Sequence, residues 1–375
     1  DLLCFSHLRW GFVHQRPQHL LTRFGRTRRV FFFEEPMRGD GPARLEVNVV
    51  TGGVHVAVPH LPHSLGERES IAAQRELVAQ MIERYALRDY VAWYYTPMAL
   101  PFSRHLEPVA TIYDCMDQLS AFKGAPAELE GLEAELFRRA DVVLTGGHSL
   151  YEAKRHLHGN IHPLPSSVDV AHFARARGVL EAPADQARIP RPRLGFFGVV
   201  DERMDLDLVA ALAAARPDWH LVIVGPIVKI DPGTLPRSPN IHYLGSRTYE
   251  ELPAYLAGWD VALMPFALNE STRYISPTKT PEYLAAGKPV ISTSIRDVVK
   301  PYGELGLVRI ADTLPELVSA VQACLADERR GFTERVDRLL GQMSWDRTWA
   351  RAEELLGAAV EGRRGARQER ACSTT

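Results

Sequence analysis

The sequence predicts an α/β protein built from two doubly wound parallel sheets, each in its own domain. Three observations carry that prediction. A strand, loop, helix, strand unit opens the chain at Leu2, and a second such unit opens at Arg193. Between them, Pro163 to Arg193 is rich in proline and charge (Pro163, Pro165, Pro183, Pro190, Pro192), the composition of a domain boundary. A length of 375 residues is ample for two separate cores. The expected domains are residues 1–165 and 193–343, joined by a linker over 166–192, with a helix over 344–361 and a polar, disordered tail over 362–375.

In the first domain, Leu2-Leu3-Cys4-Phe5 is a short apolar strand, followed by a loop from Ser6 to Arg16 and a helix with Pro17 in its first turn. Val30-Phe31-Phe32-Phe33 is the next strand, and Val47 to Val58 reads as a hairpin. An amphipathic helix follows, with Ile71, Val78, Ile82 and Tyr85 expected on its buried stripe. Tyr90 to Tyr95 and Val109 to Tyr113 are strands, the second ending in Asp114-Cys115-Met116-Asp117. A helix from Ala127 to Arg139, a strand from Asp141 to Leu144 and the loop Thr145-Gly146-Gly147-His148-Ser149 complete this half.

The second domain repeats the pattern. Arg193 to Val200 is a strand running into a loop at Gly198, Leu206 to Ala215 a helix, and Leu221 to Val224 a strand. Asn240 to Leu244 leads into Gly245-Ser246-Arg247, and Val261 to Phe266 is a further strand. Pro315 to Ala326 and Ser344 to Val360 read as amphipathic helices, the last with an apolar stripe of Trp345, Trp349, Ala352 and Leu356.

Composition narrows the function. Hydrophobic residues make up 46% and charged residues 24%, a soluble globular balance, and a net charge of −2 argues against a nucleic-acid partner. Cys4, Cys115, Cys324 and Cys372 show no zinc or redox spacing, so reduced thiols and a cytoplasmic location are expected, with no signal peptide ahead of the first strand. Six arginines between Leu2 and Phe33 (Arg9, Arg16, Arg23, Arg26, Arg28, Arg29), with no acid among them, read either as a solvated face or as a surface for phosphorylated acceptors and anionic lipid heads. The second reading carries a peripheral membrane contact. Gly198 lacks a G-x-G-x-x-G setting and no P-loop occurs, which argues against a dinucleotide cofactor.

The chemistry concentrates in Ser276-Pro277-Thr278-Lys279-Thr280-Pro281-Glu282, read as a loop ending at Pro281, with a helix from Glu282 to Ala286 stopped by Gly287. A lysine before a helix N-terminus suits a phosphate, and Glu282 suits paired hydroxyls such as those of a ribose. The competing reading leaves Lys279 solvated and Glu282 as a helix-terminal acid. Carboxylates Asp114 and Asp117 stand at a strand's carboxyl end, as either a base or turn caps, with His148 a second acid-base candidate. Loop residues Trp10, His14 and Arg16 are candidates for an acceptor, with packing the preferred reading for Trp10 and function for His14 and Arg16.

The segments "GWDVALMPF" and "SPTKTPEYLAAGKPVIST" resemble the donor-binding region of bacterial GT-B glycosyltransferases, and "WGFVHQRPQHL" resembles their opening. The resemblance covers nearly all the chain before the tail. It implies two Rossmann-like domains facing a cleft, a nucleotide-sugar, expected to be a UDP-sugar, on the second domain, and a cell-surface glycan or lipid-linked acceptor on the first. It implies that Lys279 holds the donor diphosphate and Glu282 its ribose, with Gly198 and Arg203 of "GVVDERMD" on the diphosphate and Gly245, Ser246 and Arg247 near the base. Ser276, Pro277 and Thr278 complete that donor set, and the final helix is expected to cross back to the first domain.

Many retaining members carry a second glutamate where this chain has Tyr274, leaving Glu270 as the nearest acid, and a histidine where this chain has Tyr113 and Asp114. The first acidic role is thus absent or passes to Glu270, and the retaining and inverting outcomes both stay open, an inverting transfer taking Asp117 as its base. Neither a metal nor a cofactor is expected, because Lys279, Arg203 and the helix terminus meet the diphosphate charge. A nucleotide-sugar epimerase and a non-catalytic nucleotide-sugar-binding subunit are the alternatives.

Overall fold

A computed structural model describes residues 1–50, 52–327 and 331–373. The chain divides into two compact units: Asp1–Ser120, Gly124–Pro165 and the segment from Asp346 onward form the first, and Ala121–Lys123 with Ser166–Trp345 form the second.

The first unit holds β1 (Leu2–Phe5), β2 (Val30–Phe33), β3 (Met37–Gly39), β4 (Arg44–Val50), β5 (Val54–Pro62), β6 (Val91–Tyr94), β7 (Ala110–Cys115), β8 (Val142–Thr145) and β9 (Ile161–Pro163). Their order is β3-β5-β2-β1-β6-β7-β8-β9, with β4 antiparallel on β5. Strands β1, β2, β6 and β8 are buried along their whole length, which is why they read as unbroken apolar runs. The order reverses direction between β1 and β6. The expected hairpin is present as β4 and β5, although Thr51 in its turn lies outside the described residues.

The second unit holds β10 (Arg193–Phe197), β11 (His220–Val224), β12 (Ile241–Gly245), β13 (Val261–Met264), β14 (Val290–Ser292) and β15 (Val308–Ile310), in the parallel order β12-β11-β10-β13-β14-β15. Alternate residues sort onto two cores: Leu194, Phe196, Leu221, Ile223, Val261 and Leu263 pack on one face, and Phe197, Val222, Val224, Ala262 and Met264 on the other. Here the order reverses between β10 and β13, which places a crevice at their carboxyl ends.

Several expectations need correction. The segment expected as a linker belongs to the second unit, because Val168, Phe173, Ala176 and Ile189 are buried in one of its cores. The segment expected as a disordered tail is helical: a single helix runs Trp345–Ser373, and only Thr374 and Thr375 fall outside the description. Arginine, alanine, glutamine and glutamate favour helix there, and Arg363 anchors the helix by donating to Asp141 at 2.6 Å. Ala352, Leu355, Leu356 and Ala359 of that helix enter the first unit's core beside Leu2, Leu21 and Phe24.

The helix Glu67–Arg84 is also turned relative to expectation. Its buried residues are Ser70, Gln74, Leu77, Val78 and Met81, while Ile71, Ile82 and Tyr85 are only half-buried. Two polar side chains thus occupy the stripe where apolar ones were expected.

Candidate functional site

The site in the second unit begins with two glycine turns. Gly198 follows β10 with φ +134° and Gly225 follows β11 with φ +144°, conformations that L side chains rarely adopt. A Cβ at Gly198 would lie 2.2 Å from Lys279 Cε, and one at Gly225 would lie 2.0 Å from the Gly198 carbonyl oxygen. The bare backbone therefore lets Lys279 lie across the carboxyl end of β10. Its Nζ stands 5.5 Å from the ring centre of Phe196 and 5.9 Å from that of Phe266, so the ammonium sits where the strand order reverses.

The helix carrying Lys279 runs Lys279–Ala285, three residues earlier than the sequence suggests. Pro281 falls inside its first turn, where a missing N–H breaks no helical hydrogen bond. Helical spacing puts Glu282 one turn after Lys279 on the same side. Glu282 is only 8% exposed, and burial pushes its pKa up to about 8 against the opposing pull of Lys279. Burial thus favours the uncharged form of this carboxyl group, while the neighbouring lysine favours the charged one. Ser276, Pro277 and Thr278 precede the helix as a half-buried strip.

Tyr283 fixes this helix to the sheet. Its buried hydroxyl accepts from the Phe197 N–H at 2.9 Å and donates to the Phe197 carbonyl at 3.3 Å, while Thr280 donates to Met264 Sδ at 3.5 Å. The helix is thereby tied to β10 and β13 together. At its other end, Arg177 donates to the Ala285 carbonyl at 2.7 Å, a cation placed at a helix C-terminus. Neither Tyr283 nor Arg177 stands out in the sequence, Tyr283 because an aromatic in an apolar run reads as packing and Arg177 because it lies about a hundred residues upstream.

The other expected donor residues occupy the same sheet edge with different commitments. Arg203 grips Asp201 with Nε at 2.9 and 3.1 Å and Nη2 at 2.6 Å from its carboxylate oxygens, so this guanidinium is held in an ion pair. Arg247 pairs with Asp185 and donates to the Tyr255 hydroxyl. Gly245 and Ser246 are exposed at the end of β12, and the Gly245 carbonyl accepts from the Gly225 N–H at 2.8 Å. Glu270 is exposed and faces Arg273 at 3.5 Å.

In the first unit, two expectations are overturned. Arg16 and Asp114 are 1% and 0% exposed and bind each other through two hydrogen bonds, with Arg16 also donating to the Leu164 carbonyl at 2.6 Å. Arg16 cannot hold an acceptor in that position, and Asp114 cannot reach an acceptor hydroxyl. Asp117 is half-buried in the loop after β7, and His148 is exposed at the start of the helix His148–Lys154 after the neighbouring β8. Trp10 packs edge-on to Phe32 at 5.1 Å, and its backbone N–H donates to the Glu34 carboxylate at 2.7 Å; His14 is exposed, edge-on to His19 at 4.4 Å.

The basic run also resolves into pairs. Arg9 meets Glu34, Arg16 meets Asp114, Arg23 and Arg26 share Asp346, Arg28 meets Glu353 and Arg29 meets Asp1. Half of these links involve the final helix, so the run serves to hold that helix. These acids offset much of the run's positive charge, with Arg23 and Arg26 sharing the single carboxylate of Asp346. No described helix is long and apolar enough to cross a membrane.

Two doubly wound sheets with this strand order, one carrying a cation at its reversal point, define a GT-B fold. Solved structures share it across nearly the whole chain: a sucrose-phosphate synthase from Thermosynechococcus elongatus (TM-score 0.70, 16% identity, covering 96% of this chain and 99% of that one) and HepE from Anabaena in complex with UDP and glucose (TM-score 0.66, 14% identity, 95% and 99%). Within the chain, residues 191–327, the segment bearing Gly198, Lys279 and Glu282, match the family model described as glycosyl transferases group 1. A Bacillus subtilis (strain 168) protein, TuaH, assigned as a teichuronic acid biosynthesis glycosyltransferase, is 27% identical over 210 residues, covering 51% of this chain and 53% of the relative. The match thus spans about half the length of that relative.

Proposed function

We propose that this chain is a glycosyltransferase that moves a sugar from a nucleotide-sugar, a UDP-sugar, to a cell-surface glycan or a lipid-linked acceptor, without a metal or an added cofactor. The observation that carries the reading is the Lys279 ammonium lying over Gly198 at the β10–β13 reversal. A diphosphate at that point would receive a charge-assisted hydrogen bond from Lys279, with the bare turns at Gly198 and Gly225 allowing its close approach. Glu282, one turn on, would bind the ribose hydroxyls.

UDP is favoured by the likeness to HepE, whose structure contains UDP and glucose, and a cell-envelope acceptor by the likeness to TuaH. Asp117 is the group we assign as base for the acceptor hydroxyl, which makes the transfer inverting. Metal independence rests on Lys279 taking the charge role that a divalent cation would otherwise fill. The reading places the reaction in the cytoplasm.

The test is incubation of the full chain with UDP-sugars and a panel of glycan and lipid-linked acceptors, with and without a chelator. Transfer that survives chelation supports the whole reading. A strict magnesium requirement overturns the metal-free part, and epimerised donor formed without an acceptor overturns glycosyl transfer itself.

A further inference from the structure

The first unit contains a cavity of about 670 Å³ at the carboxyl ends of β1, β2 and β6, within the size range of small-ligand sites. It lies wholly within that unit and takes in none of the residues discussed above as acceptor candidates. Its walls are apolar, with Phe5, Phe33, Phe102, Met98 and Leu132 among them. Its floor is not. Ser6, Thr96, Ser70 and Gln74 all line it and all are less than one-tenth exposed.

The floor groups can bond a ligand. The Ser6 hydroxyl oxygen accepts from the Leu8 N–H at 3.0 Å and the Thr96 oxygen from the Met98 N–H at 3.2 Å, which leaves each hydroxyl hydrogen to donate. The Gln74 amide nitrogen donates to the Ser70 carbonyl at 3.2 Å, which orients the amide. Ser70 and Gln74 are the two polar residues on the inward stripe of the helix Glu67–Arg84. The Ser70 hydroxyl is already satisfied, donating to the Gly66 carbonyl at 2.7 Å and accepting from Arg38 at 2.8 Å, so Gln74 is the member of the pair with capacity left for a ligand.

The mouth is acidic. Glu35, Glu67 and Glu128 are exposed lining residues, and the one lining cation, Arg38, is held by the Pro62 and Leu65 carbonyls and the Ser70 hydroxyl. Such a mouth repels phosphate and carboxylate groups. A hydrocarbon chain would offer no acceptor to the Ser6 and Thr96 hydroxyl hydrogens and nothing to the rest of the Gln74 amide. A sugar ring satisfies both parts, its C–H face against the phenylalanines and its hydroxyls toward Ser6, Thr96 and Gln74.

We propose that this cavity receives an uncharged or amino-bearing sugar unit of the acceptor glycan, and that its acidic mouth discriminates against phosphorylated and carboxylated sugars. The inference rests on the glycosyltransferase reading and names the acceptor class for it.

The test is saturation-transfer NMR on the full chain with UDP at saturation, using cellobiose, glucosamine, glucuronic acid, glucose 1-phosphate and 1-octanol as probes. Cellobiose and glucosamine should give signals that fall at least about fivefold in Ile71→Trp, which fills the cavity from the half-buried side of its helix. The double variant Glu67→Gln, Glu128→Gln alters exposed residues only, so it also serves if Ile71→Trp does not fold. There, glucuronic acid should gain several-fold relative to cellobiose. The inference is overturned by sugar signals that ignore Ile71→Trp, by an unchanged preference in the double variant, or by 1-octanol alone binding. A separate UDP titration distinguishes the two levels: UDP bound but no sugar bound sinks this inference, whereas no UDP bound sinks the reading beneath it.

Discussion

Arg16 and Asp114 stand 98 positions apart in the chain, yet they close a two-bond ion pair of 2.9 and 3.0 Å with both side chains out of solvent. The pair ties the start of the helix after the β1 loop to the end of β7. Burial raises the pKa of Asp114 while the Arg16 guanidinium pulls it back, so the carboxylate depends on its partner. Removing one member strands the other charge in the core.

Asp114→Asn is therefore expected to destabilise the protein by about 3 to 5 kcal/mol, the usual effect of leaving a buried charge uncompensated. Urea denaturation measures it. A loss below about 1 kcal/mol would mean that the pair is solvated and that Asp114 is open to another role.

Asp117→Asn should behave in the opposite way. Asp117 is half-buried in its loop, and its charge is felt by Arg16 without the two-bond grip that Asp114 has, so the variant should lose far less stability than Asp114→Asn and keep its UDP affinity while losing at least about a hundredfold in transfer rate. Retained activity would return Asp117 to a turn-forming role and leave His148 as the next candidate.

Glu282 gives the protein a pH signature. Its pKa is about 8 when folded against an ordinary 4.5, so between those values the folded chain keeps a proton that the unfolded chain has released. Stability from this group is then full below about pH 4.5 and is lost as pH rises toward about 8. Glu282→Gln removes the titration, and the wild type should lose stability relative to the variant across that window, by at most about 5 kcal/mol. Parallel stability profiles for the two proteins would show that Glu282 titrates in the folded chain as it does in the unfolded one.

Gly198→Ala tests the turn beneath the lysine. The new methyl group would overlap Lys279 Cε and sit on a backbone at φ +134°. The expected result is a stability loss of about 1 to 3 kcal/mol together with weaker UDP binding. Unchanged binding in calorimetry would show that Lys279 works from a different position.

Much of the fold is legible in the sequence because its signals are local. Buried parallel strands such as Leu2–Phe5 and Val261–Met264 announce themselves as short apolar runs, and Gly198 and Gly287 mark turns. The segment from Ser276 to Glu282 carries its chemistry on adjacent residues, so it too can be read directly. What escapes depends on distant partners. Arg16 reads as an anion-binding residue until Asp114, 98 positions on, is seen beside it. The linker looks like a spacer because Phe173 finds its core only in three dimensions. The helix Glu67–Arg84 is misread by one position because Ser70 and Gln74, polar residues, face inward.

Lys279 is the proposed cation for a donor diphosphate, and calorimetric titration of UDP into wild type and Lys279→Ala tests that role. UDP should bind the wild type, and the variant should lose about 1.5 to 3 kcal/mol of affinity, the size of one charge-assisted hydrogen bond. Equal affinities for the two proteins would contradict the assignment.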